Sequence, residues 1–352
     1  MVLLPSNCAC DHTHGLYSSP SIRVSFRRQQ FQRVSLTIFT PECQKIMSSA
    51  GTRVAVVTGS NKGIGYAAVM ELCAKFDGTV YLTSRDEGRG RKAMEELEKL
   101  GLHPSYHQLD IDDESSVLKL RDFLVDTHGG LDVLVNNAAI IFPMMTPKEE
   151  FVESIRKTID TNFYHTMRAC KILFPILRPH ARVVHLTSDD GHLLKISGRE
   201  PEAVALRQRF CAPDLTEPEL CQLMEEFIEA AKNGDYYERG WPDSVKERED
   251  TWPNEGYIVS KVGISALTRI HQRQFDQDPR EDLTVNCVHP GYVVTDATYQ
   301  KGEKTIQEGA EAACWLAMQP PSSSANNVPK GAYVWHDKQL VDWVNGPLPS
   351  IY

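Results

Sequence analysis

The alternation of short β-branched runs with segments of helical period, which begins at Arg53, most constrains the fold of this chain. Runs that are apolar throughout are typical of strands covered on both faces, and helices between them indicate parallel crossovers. The pattern predicts an α/β fold with a doubly wound parallel sheet of about seven strands, and a ligand site at the carboxyl ends of the strands. The predicted strands are residues 53–58, 79–84, 105–111, 131–138, 181–188, 283–290 and 331–337, and the predicted helices are residues 64–76, 89–100, 114–127, 151–177, 259–275 and 305–317.

Residues 189–256 break this alternation, because they are strongly acidic and separate one predicted strand from the next predicted helix. Within them, residues 216–234 have a helical period that starts with a capping box of Thr216 and Glu219. We expect the apolar stripe of this helix to pack against the sheet domain and its acidic face to be solvated. The segment is therefore predicted to be a helical insertion in a single domain that spans residues 47–352.

The first 46 residues are basic and serine-rich, unlike the rest of the chain. Such a composition fits a disordered leader, and it also resembles a transit peptide, so mitochondrial targeting is an alternative. Cys8, Cys10, His12 and His14 alternate within this segment and could hold a metal. We favour incidental ligand types in a disordered tail and predict no metal site.

Bulk properties narrow the class of partner. The 352-residue chain carries a net charge of −9, which argues against nucleic acid or an anionic membrane surface. No run approaches the roughly 18 apolar residues that cross a membrane. The nine cysteines include no CxxC pair, which favours a reducing compartment. We expect a cytoplasmic protein that binds a small molecule.

Three glycines, Gly59, Gly63 and Gly65, lie in the stretch GSNKGIG between a predicted strand and a predicted helix. Glycine lets backbone N–H groups approach a pyrophosphate, and the helix N-terminus adds a partial positive charge. A tight structural turn would need the same glycines, so the stretch alone leaves both interpretations open. If it binds a nucleotide, Asn61 and Ile64 are expected to contact it as well.

Two cations indicate which nucleotide is bound. The second predicted strand ends in Ser84 and Arg85, where sites that prefer NAD usually carry an acid. Arginine offers a planar fork to a phosphate, and Lys62 in the glycine turn is expected to face the same corner. The pair predicts NADP(H); the alternative is two solvated surface cations. Asp110, followed by Ile111, could accept from the adenine amino group.

Tyr257 and Lys261 are spaced i, i+4 and so lie on one face of a predicted helix. A cation about 4 Å from a phenol is worth about 4 kcal/mol at an effective dielectric of 20, or about three pKa units. The lysine is therefore expected to lower the pKa of Tyr257 towards neutral pH. Ser188, at the end of a predicted strand, could donate to a carbonyl oxygen as negative charge builds on it.

These motifs, with Asn136-Asn137-Ala138 and Asn162 between them, resemble the motif set of the short-chain dehydrogenase/reductases. The phrases GSNKGIG, HQLDIDD, GLDVLVNNA, RGWP and VHPGYVVTD are most similar to those of the monomeric NADPH-dependent carbonyl reductases. The similarity extends from about Met47 to Trp343. It implies a Rossmann-like sheet and a helical insertion before the catalytic tyrosine, which in that group covers the usual dimer face and leaves a monomer.

The resemblance also implies roles for particular residues. Tyr257 would donate a proton to the substrate oxygen, and Ser188 would hold that oxygen. Lys261 would bind the nicotinamide ribose, and Asn162 would position a water that links Lys261 to solvent. NADPH would deliver the hydride. Residues that line the cofactor in the family correspond here to Asn137, Pro290, Gly291, Val293 and Thr295.

Several positions depart from the family pattern or concern the substrate. Ala139 replaces a usual glycine, and Asp189 and Asp190 follow Ser188 where small or apolar residues are more usual. We expect the acidic pair to face solvent; if it faced the pocket, it would disfavour anionic substrates. His289 stands where carbonyl reductases can carry cysteine. The residues expected to make an apolar substrate pocket are Ile140, Ile141, Trp241 and Tyr292.

The expected activity is therefore NADPH-dependent reduction of aldehydes, ketones or quinones, with Tyr257 as proton donor. One alternative is an NADP-dependent alcohol dehydrogenase of the hydroxysteroid or prostanoid type. A second is a non-catalytic NADPH-binding module, because fold alone does not establish catalysis.

Overall fold

The computed structural model describes residues 52–142, 150–243, 255–323 and 326–349. The predicted leader, with its alternating cysteines and histidines, lies outside these ranges. The described strands form one sheet in the order β3-β2-β1-β4-β5-β6-β7-β8. They are β1 Val54–Val57, β2 Thr79–Ser84, β3 Ser105–Gln108, β4 Leu131–Asn136, β5 Leu177–Leu186, β6 Thr284–Val288, β7 Tyr333–Val334 and β8 Leu340–Val341.

The prediction of a doubly wound parallel sheet is confirmed. The pairs from β3 to β7 are all parallel, and only the terminal β7–β8 pair is antiparallel. The described helices are α1 Gly63–Lys75, α2 Glu87–Glu98, α3 Glu114–His128, α4 Phe151–Ile159, α5 Thr166–Leu173, α6 Glu202–Phe210, α7 Glu217–Asn233, α8 Glu255–Phe275 and α9 Ile306–Ala317.

The prediction of one continuous helix over residues 151–177 is wrong. Helix α4 passes through a π-helical turn, Asp160–His165, into α5, and a 3₁₀ turn, Phe174–Ile176, follows. Pro175 lacks the N–H that a continuing helix would need, so the helix ends before it. Strand β5 consequently starts at Leu177, with a register irregularity opposite β4.

The core consists of apolar clusters on the two faces of the sheet, with the insertion covering part of one face. The predicted stripe of α7 is buried, and it packs with residues of α4 and α8 in one continuous cluster. The helix begins with the expected capping box of Thr216 and Glu219 and ends at Gly234 in the left-handed conformation. The insertion thus closes over the long helix that carries Tyr257 and Lys261.

A buried ion pair between Arg182 and Asp282 lies near the amino-terminal ends of β5 and β6. The Arg182 side chain is 1% exposed, and its Nη2 lies 2.7 Å from Oδ2 of Asp282. The guanidinium also donates to the carbonyls of Asp282, Gln319 and Pro320, so each of its three nitrogens donates a hydrogen bond. Burial opposes ionisation of Asp282, but hydrogen bonds from Ser322 and Arg182 hold its pKa well below the usual range.

Asp282→Ala is expected to lower the free energy of unfolding by about 3–5 kcal/mol, because it leaves a buried guanidinium without its counter-charge. Since the folded-state pKa of Asp282 is depressed, its contribution is present at neutral pH and is lost as the pH falls below the ordinary range of aspartate. Urea unfolding at several pH values measures both effects. Asp122→Ala, at an exposed ion pair, is the control and should change stability by less than about 0.5 kcal/mol. Equal stability of the two variants would contradict this account.

Candidate active site

A cleft of about 580 Å³ opens at the carboxyl ends of the strands, where the doubly wound topology places a ligand. It runs from the glycine turn after β1, past the ends of β2, β3 and β4, to the segment after β6. The predicted site residues that line it are Gly59, Asn61, Lys62, Gly63, Ile64, Arg85, Asp110, Ile111, Asn137, Ile140, Tyr257, Lys261, Pro290 and Thr295.

The glycine turn presents backbone groups to this cleft. Gly59 and Gly63 have φ of +61° and +62°, a left-handed conformation that strongly favours glycine. The N-cap of α1 is Lys62, whose side chain makes no capping hydrogen bond, so the first N–H groups of the helix are available to an anionic ligand. The geometry therefore suits a phosphate cradle.

Gly65 does not line the cleft, but its lack of a side chain leaves room for the Asn137 side chain beside the turn. A Cβ at this position would lie 2.4 Å from Nδ2 of Asn137. That amide donates to the carbonyls of Thr58 and Gly59 at 2.9 Å each. The third glycine thus lets Asn137 at the end of β4 clamp the turn in place.

Three cations line the cleft beside the glycine turn and the end of β2, and two of them were predicted from the sequence. Lys62 and Arg85 line the cleft as predicted. Arg89, in the first turn of α2, lines it as well and was not predicted. Lys62 Nζ lies 2.6 Å from Oδ2 of Asp296, an exposed acid that also lines the cleft and was not predicted. Arg89 also has an acid neighbour, but its Nε lies 3.8 Å from Oδ1 of Asp86, a longer distance than in the Lys62–Asp296 pair, so Arg85 and Arg89 are the better phosphate candidates.

Lys261 lies at the inner end of the cleft and is 4% exposed. Its Nζ donates to the carbonyl of Leu186, the last residue of β5, at 2.9 Å, and lies 5.4 Å from the ring centroid of Tyr257. Burial lowers the pKa of Lys261 to about 8. The hydrogen bond to Leu186 holds the ammonium against the end of β5, beside the ring of Tyr257.

The expected lowering of the Tyr257 pKa is not found in this structure. Burial raises the pKa of the phenol, and the Asp190 and Asp189 carboxylates raise it further, while a hydrogen bond with Ser188 acts in the opposite direction. The prediction considered only the lysine. It missed desolvation and the two carboxylates, which favour the neutral phenol.

Asn162 and Ser188 lie beside residues that line the cleft. Asn162 lies in the π-helical turn, where its amide accepts from the N–H of Ile140 at 2.8 Å and donates to the carbonyl of Ile140 at 2.9 Å. It thereby fixes the backbone of a cleft residue. Ser188 caps the turn after β5 and donates to Asp189 at 3.1 Å.

The expectation that Asp189 and Asp190 face solvent is wrong. Their side chains are 22% and 15% exposed, and both lie against Lys195 Nζ, at 2.9 Å and 3.1 Å. No sequence pattern indicated this arrangement, because Lys195 lies beyond a turn whose geometry brings it back onto the acids.

Two of the residues predicted for the apolar substrate pocket, Trp241 and Tyr292, and three of the predicted cofactor residues, Gly65, Gly291 and Val293, do not line the cleft. Trp241 is 1% exposed and packs against Phe210 and Phe227, with ring centroids 6.0 Å and 5.2 Å away, so it belongs to the core of the insertion. Val293 is buried at 2% exposure. Gly291 and Tyr292 are not among the described residues that line the cleft. Cleft residues that were not predicted include Arg89, Thr187, Asp296, Tyr299 and Gln300.

In the described ranges, Cys170, His185 and His271 form a buried cluster of metal-ligand types, with their ligand atoms within 4.8 Å of one another. The Asn136 amide lies 3.1 Å from Nδ1 of His185, and Glu217 lies 3.5 Å from Nε2 of His271. When Asn136 donates to His185, the His185 proton is on Nε2. When His271 donates to Glu217, its Nδ1 keeps a lone pair. Nε2 of His185 and Nδ1 of His271 are both buried, and neither has a hydrogen-bond partner among the described residues.

Comparison with known proteins shows the family of this chain. The model of the short chain dehydrogenase family matches residues 53–198. Carbonyl reductase (NADPH) 3 of Mus musculus is 43% identical over 296 residues, which is 84% of this chain and 100% of that protein. The chain belongs to the short-chain dehydrogenase family. Carbonyl reductase (NADPH) 1 of Homo sapiens, another relative in this family, is 40% identical over the same shares of the two chains.

Solved structures of reductases resemble this short-chain dehydrogenase over most of its length. Salutaridine reductase from Papaver somniferum matches with a TM-score of 0.67 and 26% identity, covering 80% of this chain and 99% of that one. Menthone neomenthol reductase from Mentha piperita matches with a TM-score of 0.64 and 28% identity, covering 81% and 99%.

Because Trp241 belongs to the core, Trp241→Ala in this short-chain dehydrogenase is expected to lower the free energy of unfolding by about 3–5 kcal/mol. Chemical denaturation measures the loss. The control is Leu100→Ala, at a residue that is 63% exposed, which should change stability by less than about 0.5 kcal/mol. A stable Trp241→Ala protein with an altered substrate KM would instead support the original assignment to the substrate pocket.

Proposed function

We propose that this chain is an NADPH-dependent carbonyl reductase that converts aldehydes, ketones or quinones to alcohols. The observation that carries the proposal is the single cleft in which a phosphate-type glycine turn, Arg85 and Arg89 lie at one end and Tyr257 and Lys261 at the other. Two relatives that align with 84% of the chain are named as NADPH carbonyl reductases. These names support the assignment of both cofactor and reaction.

The residues of the cleft fit such a cofactor. The uncapped N-terminus of α1 and the left-handed Gly59 and Gly63 suit a pyrophosphate, and Arg85 and Arg89 suit an additional phosphate on the ribose. NADPH, when bound, supplies the hydride. Lys261 would orient the nicotinamide end through its buried ammonium, which the Leu186 carbonyl holds in place.

Tyr257 is the proton donor in this proposal. Its phenol stays protonated at neutral pH because burial and the nearby carboxylates raise its pKa. The proton would pass from the phenolic oxygen to the substrate oxygen as the carbonyl carbon is reduced, and solvent would then restore it. Ile140 and Ile141 line this end of the cleft and would exclude water from the reacting atoms.

We further propose that the protein is monomeric and cytoplasmic. Helices α6 and α7 of the insertion pack over α4 and α8, which supports coverage of a face that would otherwise be open to a second subunit. All six cysteines in the described ranges are free thiols, which supports a reducing compartment. Within the described residues, no helix is long and apolar enough to cross a membrane. Mitochondrial location is the alternative, and fractionation with mass spectrometry of the N-terminus distinguishes the two.

Tyr257→Phe is expected to lower kcat for reduction of an aromatic ketone by about 100-fold or more, because the proton donor is lost. NADPH binding, followed by fluorescence titration, should survive. Tyr81→Phe is the matched control, since Tyr81 bonds to His128 away from the cleft. Wild-type turnover by Tyr257→Phe would disprove the mechanism, and NADPH binding by the parent protein without turnover of any carbonyl would favour a non-catalytic module.

Arg85→Ala and Arg89→Ala are each expected to raise the KM for NADPH about 10- to 100-fold and to change the KM for NADH little, because each removes a charge-assisted phosphate contact. Arg91→Ala is the matched control and lies on the same helix as Arg89; Arg91 pairs with Glu87 at 2.6 Å and is not among the described cleft residues. Steady-state kinetics with both cofactors measures the split. An equal effect on NADPH and NADH would remove the argument for phosphate recognition.

A further inference from the structure

One face of helix α8 lies very close to α4 and to the π-helical turn that follows it. That face carries Gly256, Ser260 and Gly263, whose i, i+4 and i+7 spacing puts them on one side of the helix. A Cβ on Gly256 would lie 3.0 Å from Cα of Ile155 on α4. A Cβ on Gly263 would lie 3.0 Å from Cδ2 of Phe163 in the π-helical turn. Ser260, between the two glycines, is therefore held against the same neighbouring elements.

The hydroxyl of Ser260 makes two hydrogen bonds in this contact. The residue is 0% exposed, and its Oγ accepts from Nδ2 of Asn162 at 3.1 Å. The same hydroxyl donates to the backbone carbonyl of Tyr257 at 2.7 Å. The two bonds run in one direction, from Asn162 through the serine to Tyr257, and in such a chain each bond polarises and strengthens the next.

The Asn162 side chain is fully used by this arrangement. Its Oδ1 accepts from the N–H of Ile140 at 2.8 Å, and its Nδ2 donates to the carbonyl of Ile140 at 2.9 Å and to Ser260. An amide nitrogen has two protons, so both are taken. Since Ile140 lines the cleft, one buried side chain ties the wall of the cleft to the helix that carries Tyr257.

Helix α8 is therefore restrained from two sides. Tyr257 and Lys261 both line the cleft, so rotation of the helix about its axis would move the two together. The bond from Lys261 to the carbonyl of Leu186 resists this rotation from the side of the sheet. The bond between Ser260 and Asn162 resists it from the side of the π-helical turn.

A second helical serine shows what Ser260 would do without Asn162. Ser154 on α4 donates to the carbonyl of Phe151, three residues earlier, at 2.7 Å. This is the ordinary bond of a helical serine to its own backbone, and Ser260 makes the same bond to Tyr257 over the same spacing and distance. What distinguishes Ser260 is the bond that it receives from another element.

We propose that Ser260 is a positioning residue for the proton donor. Its hydroxyl takes a hydrogen bond from Asn162 and gives one to the Tyr257 carbonyl, and so sets the place of the phenol relative to the cleft wall at Ile140. The proposal rests on the proposed function of Tyr257. It gives the Asn162 side chain a role in placing the catalytic helix.

The separate effects on kcat and KM test this role. Ser260→Ala is expected to lower kcat for reduction of an aromatic ketone about 10-fold, because proton transfer depends on the placement of the donor. The KM for NADPH should change less than about 2-fold, since the glycine turn and the arginines are untouched. Ser154→Ala, which removes the matching bond on α4, is the control and should leave both constants unchanged. Circular dichroism verifies that both variants are folded at the assay temperature. An equal kcat in the two variants overturns the proposal.

A double-mutant cycle tests whether Ser260 acts together with Asn162. With Asn162→Ala already present, Ser260→Ala should lower kcat by less than about 2-fold, because the bond between the two side chains is already lost. A loss as large as that in the parent would mean that the serine acts independently of Asn162, and would contradict the proposal.

The link can also be measured without turnover. The side-chain amide of Asn162 gives a pair of signals in a proton–nitrogen correlation spectrum, identified by their loss in Asn162→Ala. Ser260→Ala should move one of these signals, and Ser154→Ala should move neither. Signals that stay in place in Ser260→Ala overturn the inference. A parent that reduces no carbonyl refutes the proposed function separately, and the amide signals still decide whether Ser260 links Asn162 to the helix.

Discussion

A buried ammonium group organises the centre of this protein. Lys261 projects from the long helix α8 and donates to the backbone carbonyl at the end of β5, so one hydrogen bond joins the helix to the strand whose next residues are Thr187 and Ser188. A buried charge is costly unless it is hydrogen-bonded. The register between helix and strand is thus fixed, and Tyr257, one turn earlier on the helix, lies beside the turn that Ser188 caps.

The surrounding structure supports this junction from both sides. The insertion covers α8 with the apolar stripe of α7, so the helix is packed along most of its length. On the other side, Asn137 clamps the glycine turn and Asn162 fixes the backbone of Ile140. Two side-chain amides therefore shape the cleft through the backbone groups that they hold.

The features of this site that could be predicted from the sequence are those that depend on the local periodicity and spacing of residues. Strand and helix periodicity located the sheet. The glycine turn of Gly59 and Gly63, and the i, i+4 spacing of Tyr257 and Lys261, located both ends of the cleft. Predictions failed where the answer depended on distant contacts. Whether Trp241 faced a pocket or the core depended on Phe210 and Phe227, and the pKa of Tyr257 depended on a turn that no periodicity describes. Arg89 lies in the first turn of α2, and its place in the cleft depends on how that helix packs beside the end of β2.

The central claim is that one cleft brings a hydride donor and a proton donor to the same carbonyl group. The most direct measurement uses NADPH deuterated at the transferring position of the nicotinamide, an aromatic ketone and mass spectrometry of the product. The account predicts an alcohol with one deuterium on the former carbonyl carbon, formed in proportion to the NADPH consumed. An alcohol without deuterium, or NADPH consumption without alcohol, would contradict it.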